Sequence, residues 1–136
     1  ETDMTTEMYW MTLTVLMTAL FWVPYVLNRM AVRGLSATLS AELPERGEPQ
    51  AAWAQRAAKA HTNAVENLAI FVPAVLVAHA LSISTPATQA AAVVYFFARL
   101  AHFVVYSAGI PVARTLAFAA GWAAQVVIIA SILGWL

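Results

Sequence analysis

The chain alternates long apolar runs with short polar breaks. Apolar runs cover about residues 8–27, 51–81, 87–107 and 114–136. A helix needs roughly 20 residues to cross the hydrocarbon core of a bilayer. The first, third and fourth runs therefore each fit one crossing. The second is longer than a bilayer requires, and its opening, Ala51 to Asn63, is polar. That part is expected in the headgroup zone or the cytosol, with Leu68 to Ala80 deepest. The breaks carry helix-stopping residues: Gly34, Pro44, Gly47 and Pro49 within the long polar loop 31–50, Pro86 after Ser82, and Gly109 with Pro111 before the last run. Short links force neighbouring helices to run antiparallel. The pattern predicts an all-α, integral membrane four-helix up-down bundle, one domain over residues 1–136.

Composition agrees with that solvent. Hydrophobic residues are 62% of the chain and charged residues only 10%, too little polar surface for a soluble domain to cover itself. The bilayer is thus the first partner. A formal net charge of zero gives no basic footprint for nucleic acid. The absence of cysteine removes disulfides and thiolate chemistry from the protein itself. The acidic start, Glu1 to Glu7, is unlike the basic opening of a secretory leader, so the first run is expected to be a retained span. Arg29, Arg33, Arg46, Arg56 and Lys59 cluster on or beside the first loop, and Arg114 stands at the third connection. The positive-inside rule then puts both loops in the cytoplasm and both termini on the non-cytoplasmic side of a multi-pass protein.

Several polar residues fall where lipid would exclude them without a reason. Arg56, Lys59, Asn63 and Glu66 are spaced i, i+3, i+7 and i+10, which aligns them along one side of a helix. Arg99, His102 and Tyr106 repeat the spacing i, i+3, i+7 on the third run. Antiparallel packing brings these stripes to one depth, and a structural ion pair between Glu66 and Arg99 is expected. Arg114 and Thr115 open the fourth run at the same end. Two cations, an amide and a carboxylate on one face suit a small anionic or zwitterionic ligand. More ordinary roles stand beside this one: Arg29 and Arg33 as topology anchors, His61 and His102 as packing residues. No metal site is expected, because the three histidines lie far apart and lack a zinc-hydrolase spacing.

These residues resemble a known family. Arg56-x-x-Lys59-Ala-His61-x-Asn63-x-x-Glu66 is similar to the Arg-x-x-Arg-Ala-His-x-Asn-x-x-Glu signature of the membrane-associated proteins in eicosanoid and glutathione metabolism (MAPEG). Arg99-x-x-His102-x-x-x-Tyr106, followed by Pro111-x-x-Arg114-Thr115, looks like the second motif block of that family. The likeness runs over nearly the whole chain.

The resemblance implies a homotrimer of four-helix subunits, with glutathione as cosubstrate bound between neighbours near the cytoplasmic side. It implies glutathione contacts from Arg29, Arg56, Lys59, Asn63, Glu66, His102 and Tyr106. Arg114 would lie beside the sulfur, with Thr115 where one branch carries a serine. The implied activity is a glutathione-dependent transferase or peroxidase acting on a lipophilic electrophile. The alternative is a noncatalytic glutathione- or lipid-binding membrane protein of the same fold. Three positions depart from the family pattern. Lys59 replaces an arginine, losing its planar fork. Thr62 replaces a basic residue found in some members, and Phe118 stands where relatives carry a tyrosine.

Overall fold

In the computed structural model, residues 3–41 and 43–136 are described; Glu1, Thr2 and Glu42 lie outside the described residues. Six α-helices follow in order: α1 (Thr6–Leu20), α2 (Trp22–Arg33), α3 (Leu35–Thr38), α4 (Ala52–Ala80), α5 (Pro86–Ala108) and α6 (Pro111–Ile132), with one 3-10 turn at Pro44–Arg46. α1 and α2 together make one span, so four rods long and apolar enough to cross a membrane form the bundle. α5 packs against α1, α4 and α6, most extensively against α6.

Beyond shifts of one or two residues, the observed ends differ from those expected in three places. The first span reaches Arg33, well beyond Leu27, because Asn28, Arg29 and Arg33 continue as its polar final turns. It is interrupted at Phe21, whose N–H bonds the Thr18 carbonyl three residues back. Pro24 lies just beyond and has no N–H to give to Leu20. The fourth span starts at Pro111, since a proline at the first helical position loses nothing. It ends at Ile132 rather than at Leu136.

Small residues let the helices approach closely, which matters where lipid offers no hydrophobic drive between them. Ala54, Ala57, Ala60 and Ala64 make a buried row along α4. Two aromatic stacks fill the wider gaps: Phe71 on Tyr95 at 3.8 Å and Phe21 on Phe103 at 3.9 Å between ring centroids. At the end away from the cations, the Glu7 carboxylate is buried and accepts from Thr88 Oγ1 at 2.6 Å and Ser84 Oγ at 3.1 Å. Thr85 and Thr88 also form a reciprocal cap on α5, so this cluster fixes the starts of α1 and α5 together. The large side chains left outside, such as Leu16, Val104, Leu116 and Trp122, give the bundle the apolar exterior that a bilayer wets.

Candidate functional site

α5 supplies the spine of the site. Its residues 95, 99, 102 and 106 recur every three or four positions and so share one face. Arg99 and His102 are only 2% and 3% exposed. Gly121 on α6 packs against Arg99, and a Cβ there would meet the arginine Cδ at an ordinary contact distance of 3.4 Å. Arg99 Nη2 donates to Asn63 Oδ1 at 2.5 Å. Asn67 Nδ2 in turn donates to the Asn63 carbonyl at 2.9 Å, and Gln125 Nε2 donates to the Asn67 carbonyl at 3.2 Å. A ladder of amides from α4 and α6 therefore holds the buried guanidinium.

Two nitrogens on this face are buried without a hydrogen-bond partner among the described residues: Arg99 Nε and His102 Nδ1. Phe118 covers the pair, its ring 6.0 Å from the Arg99 guanidinium carbon and 6.2 Å from the His102 ring. One turn further along α5, the His102 and Tyr106 rings are 5.5 Å apart. The Arg114 guanidinium lies 4.7 Å over the Tyr106 ring. Arg56 reaches the same end of the bundle, where its Nε donates to the Ser107 carbonyl at 2.9 Å. Gly109 eases that approach. It ends α5 in the left-handed conformation at φ 78°, and a Cβ there would sit 3.1 Å from the Arg56 guanidinium carbon. Three guanidinium groups thus gather at the basic end of the bundle.

A second polar assembly joins the end of the first span to the start of α4. Gln50 Nε2 donates to the Tyr25 carbonyl at 2.7 Å and to Asn28 Oδ1 at 3.1 Å, while Arg29 Nε donates to Gln50 Oε1 at 3.1 Å. Tyr25 Oη and His61 Nδ1 share a hydrogen bond of 2.7 Å. This arrangement puts Arg29, together with Lys59, among the residues that line a cavity of about 450 Å³.

The expected residues therefore divide. Asn63, Arg99, His102, Tyr106 and Arg114 come together, with Arg56 at their edge; Arg29 and Lys59 line a separate cavity. The expected Glu66–Arg99 ion pair does not form. Arg99 turns to Asn63, and Glu66 is exposed. The reason is rotational. Asn63 and Glu66 are three residues apart, which leaves them roughly 60° apart around a helix. Thr115 is exposed and bonds the Pro111 carbonyl of its own helix at 3.2 Å. Among the described residues no cluster of three or more metal-binding side chains occurs.

Sequence reasoning missed Gln125, Asn67, Tyr25 and Gln50 as working parts. Gln125 had a usable signal: it is a lone amide in an otherwise apolar span, and such groups seek partners inside the bundle. Tyr25 and Gln50 had none, because an interfacial tyrosine and a loop glutamine are ordinary at a membrane surface.

Comparison with known proteins adds one finding. The model for the MAPEG family matches residues 8–134, nearly the whole chain. The chain belongs to the MAPEG family. No curated protein matches it, and no solved structure does. As a MAPEG protein with four long apolar helices, it is a multi-pass integral membrane protein of a glutathione-associated family.

Proposed function

We propose that this protein is a membrane-embedded glutathione transferase or peroxidase whose basic end holds the tripeptide for reaction with electrophiles dissolved in lipid. The observation that carries the reading is the pair of buried, unpartnered nitrogens, Arg99 Nε and His102 Nδ1, beside Tyr106 and Arg114. Buried polar atoms rarely go without a partner, so nitrogens left free in a cationic setting fit an anionic, hydrogen-bonding ligand. Glutathione has the matching chemistry: two carboxylates, an ammonium, two amides and a thiol.

The roles follow from the side chains. Arg29, Arg56 and Lys59 meet carboxylates, Lys59 as a point charge and the arginines as planar forks. Asn63 spends its Oδ1 on Arg99 and keeps its Nδ2 to donate to a ligand carbonyl. Glu66 accepts from the ammonium or an amide. His102 and Tyr106 supply further hydrogen bonds. Bound glutathione contributes the nucleophilic sulfur. Arg114, held over Tyr106, favours negative charge on that sulfur and so eases loss of its proton. Thr115 spends its hydroxyl on its own helix, so charge stabilisation falls to Arg114. Phe118 brings no hydroxyl, which removes any step that needs one and leaves transfer or peroxide reduction.

Lys59 and Glu66 are exposed in a single subunit, away from Arg99 and His102. Their exposure supports a homotrimer in which each site spans two neighbours. The same reading puts the basic end in the cytoplasm and both termini outside.

Turnover of a model aryl halide by the purified protein in detergent tests the proposal. Glutathione conjugation by the wild type is expected, with Arg114→Ala losing at least about tenfold in kcat while calorimetric binding is largely kept. Saturable glutathione binding with no conjugate or peroxide turnover would favour the noncatalytic alternative.

A further inference from the structure

The first loop, whose cations the glutathione site uses only in part, forms a built cavity at the membrane boundary. Its walls include Arg29, Arg33, Lys59, Glu45, Gln50 and Gly47. Among the described residues that line it, three cations against one carboxylate leave two positive charges in excess. Arg33 is held in place from two sides. Its Nε donates to the Glu48 carbonyl at 2.7 Å, and Gly47 lies so close that a Cβ there would stand 2.7 Å from that same nitrogen. Arg29 is likewise anchored through its Nε, by Gln50. Each guanidinium is fixed by its inner nitrogen, and its outer amino groups have no partner among the described residues.

Depth decides what such a pair of forks meets. The first span runs 28 residues, Thr6 to Arg33. That is about 42 Å of helix, close to the full thickness of a bilayer with its headgroups. Arg29 and Arg33, on the last two turns, therefore stand in the layer of lipid phosphates. The segment that follows exposes Leu35, Leu39 and Leu43, three leucines that would be misplaced in water but fit beside acyl chains. Cations that hold a phosphate next to leucines that enter lipid are the two parts of a headgroup site.

We propose that Arg33 and Arg29, with Lys59 of the same cavity, bind the phosphate of an anionic phospholipid in the leaflet at this end of the bundle. This is separate from the glutathione reading in its key residue, Arg33, and shares Arg29 and Lys59 with it. The phosphate is taken from a lipid rather than from solution because the exposed leucines of the segment that follows the first span contribute only when acyl chains are attached.

The test is native mass spectrometry of the full chain in detergent, without glutathione, with phosphatidylglycerol or phosphatidylcholine added. The wild type is expected to retain phosphatidylglycerol preferentially. Arg33→Gln lowers that preference about tenfold, the loss of charge-assisted hydrogen bonds. Gly47→Ala, which crowds the Arg33 Nε, lowers it in the same direction. Arg46→Gln removes an equal charge from the same loop but outside the cavity, and changes the preference about fivefold at most. Equal losses in Arg33→Gln and Arg46→Gln would overturn the proposal in favour of diffuse attraction. Displacement of the lipid by glycerol phosphate at comparable concentration would also overturn it, by showing that the cavity reads free phosphate. Because no thiol is present, neither result depends on whether glutathione binds.

Discussion

At the scale of single residues, Arg99 poses the sharpest energetic question. A guanidinium buried in a membrane bundle costs several kcal/mol unless it is bonded, and Asn63 is its one hydrogen-bond partner among the described residues. Asn63→Leu is expected to destabilise the protein by about 1–3 kcal/mol, read from chemical unfolding in mixed micelles. The double change Asn63→Leu with Arg99→Met should cost less than the two single losses added, because it leaves no stranded charge. Strict additivity would mean that the two side chains do not support one another. Gln125→Leu removes the donor to the Asn67 carbonyl and is expected to cost about 0.6–2 kcal/mol in the same assay. The partner choice of Arg99 was beyond the sequence. Asn63 and Glu66 both suit a cation chemically, and only the rotational setting of α4 decides between them.

At the scale of the elements, Gly109 does two jobs. It closes α5 in a conformation that costs other residues about 1–2 kcal/mol, and its missing side chain admits Arg56. Gly109→Ala is therefore expected to lower stability by about that amount and, separately, to weaken glutathione binding by moving Arg56. A calorimetric affinity equal to that of the wild type would show that Arg56 has no part in holding the ligand. The spans themselves were plain in the sequence, since length and apolar content alone identify a crossing. Their ends were not. Asn28, Arg29 and Arg33 look like loop residues by type, yet a helix that leaves the hydrocarbon can carry polar turns through the headgroups. Pro111 stops a helix when read from before and starts one when read from after.

At the scale of the whole molecule, the sequence placed polar residues of three spans at one end of a bundle, and Asn63, Arg99, His102, Tyr106 and Arg114 do meet there. The idea of one continuous stripe on α4 was too coarse. Spacings of seven keep Arg56 with Asn63 and Lys59 with Glu66, but the two rows lie roughly 60° apart. One row faces α5 and the other faces outward. A spacing rule finds both and cannot say that they serve different surfaces. That split suits a subunit boundary, so, under the proposed trimeric assembly, chemical cross-linking in membranes is expected to give a trimer. A strictly monomeric protein that still turned over would place the whole site within one chain.

The most direct test of the central claim, that the gathered cations favour a bound thiolate, is stopped-flow ultraviolet absorbance on mixing the protein with glutathione at neutral pH. The account predicts a rise in thiolate absorbance that saturates with glutathione and disappears in Arg114→Ala. Saturable binding with no thiolate signal, or an undiminished signal in Arg114→Ala, would contradict it.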